Sequence, residues 1–128
     1  MLVFQSEQFR VVQAVEPGFP AFYRVVWNAH VAEFSDLSAA DRSVCMNAVV
    51  AVEHVLREQL NPIKINLAAL GNIVSHLHWH VIARFDWDSH FPSSVWAAVQ
   101  RVVSAEKLAQ LARDCEQINR LLADKLSS

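Results

Sequence analysis

Ile73-Val74-Ser75-His76-Leu77-His78-Trp79-His80-Val81-Ile82 is the stretch on which the reading of this chain turns. Three histidines recur at strict two-residue spacing among apolar neighbours. Side chains of a β-strand alternate faces. His76, His78 and His80 are therefore expected on one side, with Leu77, Trp79 and Val81 on the other. A helix would swing each ring by about 200° from the last and scatter the three. The spacing predicts a strand over residues 74–85, and packing alone gives no reason to gather three imidazoles on one sheet face.

Upstream of it, Lys64 to Leu70 reads as a strand, and Gly71-Asn72 as a tight corner. Before that, Cys45, Ala48, Val49, Val52, Val55 and Leu56 recur at helical spacing. Ser38 with Asp41 three residues on forms the start signal of that helix, and Asn61-Pro62 forms its stop. Phe9 to Ala14 and Ala21 to Trp27 are β-branched and aromatic runs, separated by a turn at Glu16-Pro17-Gly18-Phe19-Pro20. Residues 28–36 read as connector. Downstream, 86–94 is polar with Pro92 and reads as loop. Leu108, Leu111, Ala112, Cys115, Ile118 and Leu122 then repeat at helical spacing. The order strand, strand, helix, strand, strand, helix predicts an α+β fold. It is an antiparallel sheet with one long helix packed on it and a C-terminal helix added. Residues 1–103 form the domain, and 104–128 form a helix accessory to it.

Bulk properties narrow the function classes. The chain has 128 residues, 53% of them hydrophobic and 19% charged, which suits one domain with a real core. Its formal net charge of −2 gives no basic surplus for a nucleic-acid polymer or an anionic membrane. A small phosphate ligand needs only a few local donors and stays open. Cys45 and Cys115 each fall on the apolar side of a predicted helix, which favours buried reduced thiols. Met1-Leu2-Val3-Phe4 lacks a basic region and a long apolar core, so no signal peptide is expected. No apolar run reaches the length of a membrane span, and a cytoplasmic setting is the default.

Two chemistries suit a row of imidazoles. One is metal binding. On a straight strand, however, His76 and His80 would stand about 13 Å apart at Cα, too far for one tetrahedral ion to reach all three. Two could bind, with a third ligand such as His54, His90 or Glu53. The other chemistry is phosphoryl or nucleotidyl transfer. A neutral histidine attacks phosphorus, while flanking rings and backbone N–H groups hold the phosphate oxygens. A linear array of rings matches a polyphosphate better than it matches a metal. Arg84 falls on the same face and is either a phosphate contact or an ion-paired arginine. Trp79 faces away and is expected in the core or an interface. His30, His54 and His90 are isolated in sequence.

His76-Leu77-His78-Trp79-His80-Val81-Ile82 resembles the signature of the histidine triad (HIT) superfamily at all seven positions: His, apolar, His, apolar, His, apolar, apolar. The preceding Asn66-bearing strand, the Gly71-Asn72 corner and Phe34-Ser35-Asp36-Leu37-Ser38 leading into a long helix also fit, and the resemblance covers residues 2–100. It implies a homodimer with a continuous sheet. It also implies hydrolysis or transfer at the α-phosphate of a nucleotide conjugate, with no metal and no cofactor. Carried onto this chain, His78 is the nucleophile that forms a nucleotidyl-histidine, His76 positions it partly through its backbone carbonyl, and His80 contacts the phosphate. Gly71, Asn72 and Asn66 are the substrate-binding candidates. Two departures stand out. Phe22 takes the place where many members carry a further histidine, so the leaving group's proton has no evident source. Ile73 stands where many relatives have Ser or Thr. A nucleotide-binding protein with little catalysis and a metal-site protein are the alternative readings.

Overall fold

The computed structural model describes residues 1–128. Five strands form one antiparallel sheet: β1 (Leu2–Gln5), β2 (Phe9–Gln13), β3 (Phe22–Trp27), β4 (Lys64–Ala68) and β5 (His78–Arg84). Their order is β1-β2-β3-β5-β4. The chain leaves β3, crosses the sheet as helix α1 (Ala39–Leu60), and returns as β4 on the far side of β5. Helix α2 (Ala105–Leu126) closes the fold.

Local signals set these boundaries. Ser38 caps α1 by accepting from the Asp41 N–H at 3.1 Å. Asn61 ends it in the left-handed region at φ 47°, and Pro62 blocks any continuation. Ser104 caps α2 by accepting from the Lys107 N–H at 3.2 Å.

Both helices cover the same face of the sheet. Val11, Tyr23, Val25, Val81 and Ala83 point to that face, and they form one core with Cys45, Val49, Val52 and Leu56 of α1. Leu111, Cys115, Ile118 and Leu122 of α2 belong to the same core. Burial of this apolar surface is the main stabilising term. On the opposite face Ala14, Phe19, Phe22 and Ile82 form a second, smaller cluster with Val95 beside it. The rest of that face carries the histidines.

Three expectations are corrected. The edge strand β1 was not anticipated: a lone four-residue run, Leu-Val-Phe-Gln, carries too little pattern to be told from a tail. Strand β4 stops at Ala68 rather than Leu70. Strand β5 begins at His78, not Val74. Gly71 turns the chain at φ +74°, and Ile73 projects into solvent at 98% exposure. The apolar Ile73-Val74 pair is therefore loop, and His76 precedes the strand.

Candidate functional site

Although His76 lies outside β5, all three histidines line one cavity of about 810 Å³. That volume suits a nucleotide-sized ligand. His78 and His80 arrive on one face by strand alternation, opposite Val26 and Arg24 of β3. His76 comes in from the loop.

The hydrogen bonds define the tautomers through their partners. The His78 Nδ1–H donates to the backbone carbonyl of His76 at 2.6 Å. In the neutral ring the lone pair is then on Nε2, and no protein group hydrogen-bonds to that atom. His76 Nε2 faces the Trp27 carbonyl, which can only accept, so Nε2 carries the proton. Its Nδ1 lies 3.1 Å from His30 Nδ1 and accepts from it when the His76 ring is neutral. A chain of contacts runs from His30 through His76 to the ring of His78.

His80 is enclosed, with 5% of its surface exposed. Its ring meets His78 at 4.9 Å, Trp96 at 5.1 Å and Phe22 at 5.4 Å, each edge-on. Burial, then the positive fields of His78 and Arg24, push its basicity down to about 4. It is a neutral ring at physiological pH. Its Nδ1 accepts a long hydrogen bond, 3.4 Å, from Arg24 Nε.

Gly71 and Asn72 line the cavity with the histidines, and Asn66 does not. Asn66 stands opposite Ile82 in β4, where its Oδ1 accepts from Arg84 Nη1 at 2.8 Å. Arg84 is buried too, and the phosphate-contact alternative for it is replaced by ion pairing. Its Nε and Nη2 donate to the Asp88 carboxylate at 2.9 and 3.1 Å. Burial alone would raise the Asp88 carboxyl. Arg84 and the N–H groups of Phe85, His90 and Phe91 outweigh it and hold the group below the usual range. Arg84 also donates to Ser93 O at 2.7 Å, and Arg101 to Asp88 O at 2.7 Å. This network fixes the loop that brings Trp96 over His80. Arg84 and Asn66 thus shape the wall of the site from behind it.

Sequence reasoning missed Arg10, Arg24, Glu16 and Trp96, all of which line the cavity. The two arginines are on β2 and β3, and only the strand pairing brings them beside the histidines. His30 reads as isolated in sequence because 46 residues separate it from His76. Trp79 faces the helix side as expected, packing on the core with its ring edge-on to Phe34 at 5.4 Å. The metal alternative finds no support in the donor set: no three His, Cys, Asp or Glu side chains are grouped as an ion would need. His54 lies on α1, across the sheet from the histidines, and His90 is turned to Ser89 Oγ at 2.8 Å.

The fold recurs among known proteins. A family model described as the HIT domain matches residues 1–87. Among solved structures, a histidine triad protein from Bradyrhizobium japonicum is similar at 25% identity and a TM-score of 0.78, over 96% of this chain and 90% of that one. A histidine triad protein from Sinorhizobium meliloti 1021 is similar at 27% identity and a TM-score of 0.71, over 91% and 87%. A third, from Marinobacter aquaeolei VT8, shares the fold at 24% identity and a TM-score of 0.75, over 96% and 90%. A search of curated protein sequences finds no match. No helix is long and apolar enough to cross a membrane.

Proposed function

The chain belongs to the HIT-domain family, and from that premise we propose that it cleaves a nucleotide conjugate at the α-phosphate through a covalent nucleotidyl-His78. The observation that carries this reading is the His78 ring itself. Its Nδ1 is tied to the His76 carbonyl at 2.6 Å, and its Nε2 lone pair is free beside a cavity of about 810 Å³. A nucleophile needs a fixed tautomer and an open approach, and this ring has both.

In the first step Nε2 attacks the α-phosphorus. An N–P bond forms and the bond from phosphorus to the leaving group breaks, with the electron pair departing on the leaving group. The positive charge that develops on the imidazole is shared through Nδ1–H with the His76 carbonyl. In the second step water attacks the phosphorus and the N–P bond breaks. The nucleoside monophosphate leaves, the ring regains its lone pair, and the proton passes to solvent. His80, neutral and adjacent, offers a hydrogen bond to a phosphate oxygen. Asn72 and Gly71 border the same space. Asn66 acts indirectly, as a support for Arg84.

The test is release of AMP from adenosine conjugates. The panel includes a phosphoramidate and a dinucleoside polyphosphate. Wild-type protein is expected to release AMP, and His78→Ala to lose at least about a thousandfold in kcat. Turnover that survives in His78→Ala overturns the nucleophile. Nucleotide binding without any AMP release would favour the binding-protein alternative. Phe22, which has no acidic proton to donate and lies 5.4 Å from His80 between ring centroids, motivates that second reading. A homodimer joined along a sheet edge accords with the free edges of β1 and β4, and a reducing intracellular setting accords with the two unpaired thiols.

A further inference from the structure

The cavity that holds the histidines also holds two guanidinium groups and one carboxylate, from Arg10, Arg24 and Glu16. Arg24 stands directly across from His80 on the neighbouring strand. Arg10 stands across from Val26, which is itself opposite His78. Both project to the histidine face and both are half-buried. Arg24 thus flanks His80 on the next strand, and Arg10 lies one strand further on in the row of His78, diagonal to Arg24, with about 4.8 Å between strands.

These cations are not consumed by the fold. Arg24 uses Nε on His80 at 3.4 Å, while its Nη2 is 3.9 Å from Glu16 Oε1. That separation is an ion pair without a hydrogen bond, between partly exposed side chains, and such pairs hold weakly. Arg10 spends Nη1 on the Asn28 side chain at 3.1 Å, which aims the group and leaves its other donors free. A cationic cleft in a chain of net charge −2 is a local feature of the site, not a property of the whole surface.

Resting on the reading that His78 attacks a nucleotide α-phosphate, we propose that Arg24 and Arg10 form a second anion subsite for the adjoining phosphoryl group. The subsite selects phosphoanhydrides over conjugates with an uncharged leaving group. When His78 Nε2 bonds to the α-phosphorus, the bridging P–O bond breaks and the leaving phosphate carries off the electron pair. Such a group departs as an anion, so it needs a cation beside it and no proton. The surroundings match that requirement. Phe22 and Trp96 wall the His80 ring and carry no acid, and His80 itself is neutral. Arg24 offers paired donors of the kind that grip phosphate oxygens. Glu16 occupies Arg24 loosely in the free protein and yields to the stronger anion.

Isothermal titration of the full-length protein with AMP and with α,β-methylene-ADP reads this directly, because the methylene bridge resists cleavage. The diphosphate is expected to bind about tenfold more tightly than the monophosphate. That ratio is expected to fall towards one in Arg24→Gln and Arg10→Gln, to recover in part in Arg24→Lys, and to rise in Glu16→Gln. Equal affinity for the two probes in the wild type overturns the subsite and leaves the nucleotide reading standing. The same holds if Arg24→Gln weakens both probes by one factor, which marks a structural role. Binding of neither probe overturns both.

Discussion

His80 is the triad member most enclosed by the fold, and its enclosure has a consequence for stability. An imidazole in the unfolded chain titrates near about 6.5, whereas the native ring is held down at about 4 by burial, His78 and Arg24. Between those two values the unfolded chain binds a proton that the native state refuses. Stability from this group is therefore full above about pH 6.5 and is lost as pH falls from there through 4, by at most about 3.4 kcal/mol. Urea unfolding at pH 7 and pH 4.5 measures it, and the expected result is a lower midpoint at the acid value. In His80→Gln, which has no proton to gain, the pH dependence of the midpoint is expected to flatten. An unchanged dependence would remove His80 as its source. The three histidines were legible from sequence because they fall within five residues at a strand's period, although His76 proves to lie in the loop just before β5. Arg24, opposite His80 yet 56 residues away, was not.

The second helix matters at the scale of elements. Leu111, Cys115, Ile118 and Leu122 recur at spacings of four, three and four, which places them on one stripe. By its sequence this helix reads as accessory to the domain. In the structure its stripe enters the same core as α1 and the sheet, and the Tyr23 hydroxyl donates to Asn119 Oδ1 at 2.7 Å. Helix and sheet are then expected to unfold together. Leu122 is fully buried, so Leu122→Ala is expected to cost about 3 kcal/mol. Far-ultraviolet dichroism and tryptophan fluorescence should report a single transition, shifted equally by the mutation. Separate transitions would mean that α2 melts independently of the sheet. The amphipathic stripe revealed the helix, but which surface it covers depends on contacts with β1 and α1 that no local pattern encodes.

Taken as a whole, the molecule keeps its two layers chemically distinct. The helix side is mainly apolar, with the Tyr23–Asn119 pair as an exception; the opposite side carries the histidines, Arg10, Arg24 and the Asp88 network. Cys45 and Cys115 lie on the helix side, both free and buried, and burial pushes each thiol up to about 11. At pH 8 neither is expected to react quickly with Ellman's reagent in the native protein. In guanidinium without reductant, two thiols per chain are expected to react at once. A rapid native reaction would place one of them at the surface. Local spacing in the chain was enough for both helices, strands β2 to β5 and a histidine-bearing strand, because it encodes which face each residue takes; it was not enough for β1 or for the ends of β4 and β5, where the apolar Leu70, Ile73 and Val74 are loop. The HIT resemblance was legible for the same reason, since its motif is a run of seven adjacent residues. Folding in three dimensions was needed to bring Arg10, Arg24 and Trp96 to the histidines, to turn Arg84 and Asn66 into the Asp88 network, and to set His30 against His76. Those partners are brought together by strand pairing and loop closure across long stretches of chain. Neither leaves a periodic trace in the sequence.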